Sequence, residues 1–188
     1  MFAGHFGLAA IVKARHPEIP LWALMVSTQW LDIAFIPLFI SGVETIEILD
    51  GGGYGEQIIH AEWTHSLVGT TLLSFLAGWI ASRIWSVKAG IIIGLLSGSH
   101  WLLDLIVHNQ DMPLLPGHAD GLALWGLSLW SYPVYSIVLE ALIVATGILM
   151  YSRWRLTQGS VKRRRVQAII TSVFVSSLLI FSMISDFL

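Results

Sequence analysis

Apolar residues fall into six blocks along the chain, separated by short stretches that carry the charges, glycines and prolines. The blocks predict helices over residues 2–14, 21–40, 63–84, 89–107, 129–151 and 166–187. Five of them approach the roughly 20 residues that a bilayer core demands, and the first is too short to cross alone. Pro37 is expected to kink or end the second helix. Gly51, Gly52 and Gly53 mark a flexible stretch in the longest connection. No internal repeat and no soluble domain stands out. The pattern predicts an all-α fold: a polytopic membrane helical bundle of about six helices with a short N-terminal one. All 188 residues form a single integral-membrane domain in this reading, with 1–122 carrying the polar candidates and 123–188 adding two supporting helices.

Composition agrees with this class. The chain is 55% hydrophobic and 12% charged, outside the range of soluble domains. The start lacks a basic region before its apolar stretch, and that stretch carries His5, so it reads as part of the fold rather than a secretory signal. With no cysteine, disulfides and thiolate ligands are excluded, and any metal must be held by imidazole and carboxylate.

The ten basic residues are segregated. Lys13, Arg15, Arg83, Lys88, Arg153, Arg155, Lys162, Arg163, Arg164 and Arg165 all fall on one side of the six predicted helices. The positive-inside rule makes that side cytoplasmic, in a multi-pass protein of the inner membrane. Glu44, Glu47, Asp50, Glu56, Glu62, Asp111 and Asp120 collect on the other side, so loops 41–62 and 109–122 are expected outside. Trp22, Trp85 and Trp154 lie near one interface, and Trp63, Trp125 and Trp130 near the other. The run from Lys162 to Arg165 reads as a topology anchor with an anionic-lipid contact, not a nucleic-acid site.

Polar groups within the apolar blocks carry the chemistry. His100, Asp104 and His108 stand four apart, stacked on one helical face with a drift of about 40° per step. Ionisable groups at this depth are expensive unless paired or metal-bound, so they mark function by default. At roughly 1.5 Å per residue, Asp32 and His100 come out about 18 Å from the cytoplasmic boundary, Asp104 about 24 Å and His65 about 27 Å. These four share a slab in the outer half of the membrane. His108 and His60 reach the outer rim, and His5 joins only if the first helix enters the bundle. In that case the Met1 amine also lies within the span. Gly90, Gly94 and Gly98 form a ridge for close helix packing.

Single residues allow blander readings. A lone intramembrane histidine such as His5 is often a structural hydrogen-bonder. His16 and His118 read as solvated, His118 also as a gate. Glu140 is either a carboxyl bonded to a hydroxyl such as Ser136 or a proton shuttle. Thr64 and Ser66 either cap a helix or bond the ligands around His65.

The motifs resemble those of the YdjM-like family of inner-membrane proteins, held to be metal-dependent hydrolases. His5 on the first helix, Leu31-Asp32-Ile33, the segment His60 to Ser66 with Thr64-His65-Ser66, and Ser99-His100 with Asp104 follow that family's order, up to about residue 120. Three positions depart from it: no proline precedes Asp32, Ala34 stands for a second aspartate, and Ala61 for an arginine. The order His, Asp, His, then His-x-x-x-Asp is also distantly similar to zinc-dependent phospholipase C and P1 nuclease, in which the free amino terminus ligates zinc.

Together these imply a metal-dependent hydrolase with His5, Asp32, His65, His100 and Asp104 as metal ligands. The expected cofactor is one or two divalent ions, zinc being the expected metal, with an open position lowering the pKa of bound water toward 7. Glu140, His60 and His108 are the candidates for moving protons. A membrane lipid or lipid-like substrate follows from depth, and a phosphoester bond from the phospholipase likeness. Two other readings stay open: a proton or ion path lined by buried His and Asp, as in transporters, and a metal that only ties helices together. Against the transporter, no inverted repeat is visible.

Overall fold

The computed structural model describes residues 2–49, 55–118, 121–158 and 162–185. The Met1 amine, the Gly51–Gly53 run, Asp50, Asp120 and the side chains of Lys162, Arg163 and Arg164 lie outside the described residues.

The fold is all-α, as the periodicity predicts, with seven α-helices among the described residues: α1 (Phe2–Arg15), α2 (Leu21–Thr28), α3 (Trp30–Ile40), α4 (Leu67–Ile84), α5 (Val87–Val107), α6 (Pro133–Thr157) and α7 (Lys162–Ser185). Four of these, α4 to α7, contain stretches long and apolar enough to cross a membrane. The pair α2 and α3 makes a fifth if taken as one span. Large apolar side chains on them stay exposed, among them Phe75 at 74%, Leu95 at 71% and Phe181 at 70%. Such surfaces suit lipid rather than water. The chain is a multi-pass helical membrane protein.

Local chemistry sets the helix ends. Ser66 caps α4, its hydroxyl accepting from the Gly69 N–H at 3.0 Å, and Ser86 caps α5 through the Ala89 N–H at 3.1 Å. Pro133 opens α6 at the one helical position where its missing N–H is harmless. The expected break in the second span is displaced. Pro37 lies inside α3, and the bend of 52° falls at Gln29, whose φ of −108° and ψ of 12° interrupt the helix.

The chain groups into two compact units, Met1–Met25 with Ile137–Leu188, and Val26–Ser136. In this grouping α1 goes with the two C-terminal helices. In the first unit α1 packs on α7, around Ala3, Ala10, Val144, Tyr151, Val175 and Leu179. Gly7 and Gly147 permit close contact between α1 and α6: a Cβ on Gly147 would stand 2.5 Å from the Gly7 carbonyl oxygen.

The second unit is built on the antiparallel pair α4 and α5. Gly90 lies against Gly78, where a Cβ would come within 2.5 Å of the Gly78 carbonyl oxygen, so the expected glycine ridge serves close packing. The segment expected as a loop over 41–62 instead forms a hairpin, β1 (Thr45–Ile48) paired with β2 (Gln57–His60), in the register Thr45 to His60. The hairpin and the 109–118 loop are stitched to the ends of the helices. The Leu67 and Val68 N–H groups donate to Pro113 and Leu114, and Met112 pairs with Trp125. Leu31, Trp101 and Met112 are the buried core beneath this cap.

Candidate metal centre

Two helices and the turn that leads into a third, all in the second unit, bring Asp32, His65, His100 and Asp104 together. Asp32 lies in the first turn of α3, just after the Gln29 break. His65 sits in the turn that leads into α4, one residue before the Ser66 cap, and not within the helix as its hydropathy suggests. His100 and Asp104 lie one turn apart on the buried face of α5.

His100 Nε2 is 2.9 Å from Asp104 Oδ2 and 3.5 Å from Asp32 Oδ1. His65 Nε2 is 3.4 Å from Asp32 Oδ1, 3.8 Å from Asp104 Oδ2 and 3.4 Å from His100 Nε2. A tetrahedron of ligands about 2.0–2.1 Å from a zinc ion has edges of about 3.3–3.4 Å. The observed separations scatter around that value.

The far nitrogen of each imidazole fixes what its near nitrogen offers. His100 Nδ1 is 2.6 Å from the Thr28 carbonyl oxygen, an acceptor only, so Nδ1 carries the hydrogen. His65 Nδ1 is 2.9 Å from Thr64 Oγ1. The Thr64 hydroxyl is itself committed to the Glu44 carboxylate, 2.9 Å from Oε2 and 3.1 Å from Oε1, so its oxygen accepts from His65. In their neutral forms both imidazoles therefore turn an Nε2 lone pair toward two carboxylate oxygens. Such a set of donors is satisfied by a cation, either a metal ion or a proton shared with the carboxylates. Carbonyl and hydroxyl partners behind the imidazoles are the usual way a protein orients histidine ligands. Asp32, His65 and His100 each offer a ligand atom within 4.8 Å of the others, a group that can hold a metal ion.

Exposure is uneven. The side chains of His65, His100 and Asp104 are 7%, 1% and 5% exposed, whereas that of Asp32 is 40% exposed. Ile36 and Ile40 follow Asp32 on the same face of α3 and are more exposed still. Toward the loops the set is sealed: Glu44, Thr64, His108, Asp111, Met112 and Trp130 are all buried.

His108 caps the end of α5, with Nε2 4.0 Å from Asp104 Oδ2. Its Nδ1 meets Asp111 Oδ1 at 3.1 Å, and its ring packs on Trp130 at a centroid distance of 4.3 Å. Asp111 Oδ2 accepts from the Ile59 N–H of β2 at 2.9 Å.

His60, on β2, faces Glu47 at 3.5 Å with its side chain 45% exposed, and is not part of the set. His5 is buried on α1 and Glu140 on α6, both in the other unit, where Glu140 Oε1 accepts from the Gly4 N–H at 2.9 Å. His16 pairs with Glu18 at 3.5 Å, and His118 lies in a short 3₁₀ turn. Sequence reasoning passed over Glu44 and Asp111 as ordinary loop acids. The signal that could have raised them is their place next to the motif residues in the folded loops, which spacing alone does not carry.

Comparison with protein-family models, with curated proteins and with solved structures finds no match for this chain.

Proposed function

We propose that this protein is an integral-membrane, metal-dependent hydrolase whose ion is held by Asp32, His65, His100 and Asp104. The observation that carries the reading is the convergence of two imidazole nitrogens on the Asp32 and Asp104 carboxylates, with His–His and His–Asp separations of 2.9 to 3.8 Å. An N₂O₂ donor set of this kind suits zinc. When bound, a divalent ion supplies an activated water and polarises the bond under attack. The residues around it do the rest. Asp32, the exposed member, borders the open flank by which water and substrate reach the ion. A bound ion would need a position for water beside its protein ligands, and Asp32, the exposed member, is where one would open. His108, oriented by Asp111, is placed to take up or deliver a proton beside Asp104.

A metal serving only to tie α3, α4 and α5 together needs no exposed ligand, and Asp32 favours the catalytic reading. The same exposure supports a lipid-like substrate. The open flank lies on the apolar face of α3 while the loop side is packed shut. The phospholipase likeness adds a phosphoester as the bond cleaved. The segregated basic residues support an inner-membrane protein with the hairpin and the 109–118 loop outside the cytoplasm.

The test is turnover of diacyl phosphoester lipids by the zinc-loaded protein in nanodiscs. Hydrolysis that is abolished in His100→Ala and restored to wild type by zinc after chelation supports the reading. Zinc bound without turnover of any lipid ester refutes the hydrolase and leaves a structural ion.

A further inference from the structure

Glu44 is completely buried, an unusual position for a carboxylate that touches none of the proposed ligands. It precedes β1 and reaches the turn before α4. Oε1 accepts the Trp63 and Thr64 N–H groups, each at 2.8 Å. The Thr64 hydroxyl donates across both oxygens and accepts from His65 Nδ1 at 2.9 Å. The backbone of the same turn is gripped from α5, where Trp101 Nε1 donates to the His65 carbonyl at 2.8 Å.

We propose that Glu44 is a positioning residue for the metal centre, acting through the Thr64 hydroxyl to hold the lone pair of His65 Nε2 toward the ion. The inference rests on the metal-site reading above. A carboxylate cannot donate, so it compels the hydroxyl hydrogen to point at Glu44 and leaves only the oxygen lone pair for His65. The imidazole must then carry its hydrogen on Nδ1. This chain fixes both the tautomer and the ring orientation, the two properties a histidine ligand needs.

The geometry also says what an amide does there. In Glu44→Gln the two backbone N–H groups keep an oxygen at the Oε1 position. The amide nitrogen then takes the Oε2 position, 2.9 Å from Thr64 Oγ1 in the native protein. It donates to the hydroxyl oxygen, so the hydroxyl loses its nearer acceptor and is no longer held to present its lone pair to His65 Nδ1; the imidazole hydrogen is then free to sit on Nε2, where it faces the ion.

The experiment measures Zn²⁺ affinity of the full-length protein in nanodiscs by competition with a chromophoric chelator. It compares wild type, Glu44→Gln, Thr64→Val, Thr64→Ser and the double variant Glu44→Gln/Thr64→Val. Outer partners of metal ligands typically contribute about 10–100-fold in affinity, and that loss is expected for Glu44→Gln and for Thr64→Val. Thr64→Ser keeps the hydroxyl and should stay within about 3-fold of wild type. Because Glu44 acts through Thr64, the double variant should bind no more weakly than Thr64→Val, whereas a general structural role gives additive losses. Glu44→Gln binding within about 3-fold of wild type, or additive losses, overturns the proposal. If Glu44→Gln does not fold, the Thr64→Val and Thr64→Ser pair decides: equal affinities overturn it. Wild type that binds no Zn²⁺ overturns the metal site itself, a result distinct from a failed relay.

Discussion

Replacing His100 with alanine removes one ligand and strips the Thr28 carbonyl of its donor at the helix break. It also withdraws the nitrogen that stands 2.9 Å from Asp104 Oδ2, and leaves a carboxylate that is 5% exposed without that partner. A structural zinc site of four ligands is worth about 10–16 kcal/mol, or about 2.5–4 kcal/mol for each donor if shared evenly. His100→Ala should therefore weaken Zn²⁺ binding by roughly 10²–10³-fold. Chelator competition on protein in nanodiscs reads this directly, with metal content after gel filtration as a second measure. His60→Ala is the matched control, because His60 stands on the hairpin against Glu47 with its side chain 45% exposed. Its affinity should match wild type within about 2-fold, a change of under about 0.5 kcal/mol. A His100→Ala protein that holds zinc as tightly as the control would sink the ligand assignment.

Removal of metal should lower thermal stability. At a free ion concentration of 100 times the dissociation constant, binding adds about 2.7 kcal/mol to the folded state. Chelation should therefore drop the unfolding midpoint of wild type but not of Asp104→Asn, and equal drops contradict the site. Ser66→Ala removes the α4 cap beside His65 and should cost about 0.5–2 kcal/mol in the metal-free protein, seen as a lower midpoint in detergent. Gly90→Ala places a methyl against the Gly78 carbonyl, and the α4–α5 pair should lose about 1–3 kcal/mol. An unchanged midpoint would show that the helices do not pack as described. Ile36→Trp, on the exposed face of α3 one turn from Asp32, should slow turnover of long-chain lipid esters while zinc affinity is retained. Equal slowing of a short, water-soluble ester would argue against entry from the bilayer.

The legible parts of this protein are those set by local pattern. Apolar block length gave α4 to α7 with ends no more than six residues off. The spacing of His100 and Asp104 placed both on one face of α5, and depth counting put Asp32 and His65 in the same outer-half slab. Legibility stops where tertiary bonds decide. The second span breaks at Gln29 rather than at Pro37, at the point where the Thr28 carbonyl serves His100, a partner 72 residues away. Hydropathy started α4 at Trp63, but residues 63–66 form the turn that grips Glu44. The hairpin was hidden because its strands have four residues each, too few for a period-2 signal to stand out. Glu44 and Asp111 looked like solvated loop acids because their burial depends on how the hairpin and the 109–118 loop close over the helix ends.

The central claim is that Asp32, His65, His100 and Asp104 hold one divalent ion. X-ray absorption at the metal edge of purified wild-type protein tests it most directly, together with elemental analysis. The account predicts about one zinc per chain, a first shell of nitrogen and oxygen at about 2.0–2.1 Å, and the outer-shell scattering of two imidazoles. Wild type without stoichiometric metal, or metal with no imidazole scattering, would contradict it.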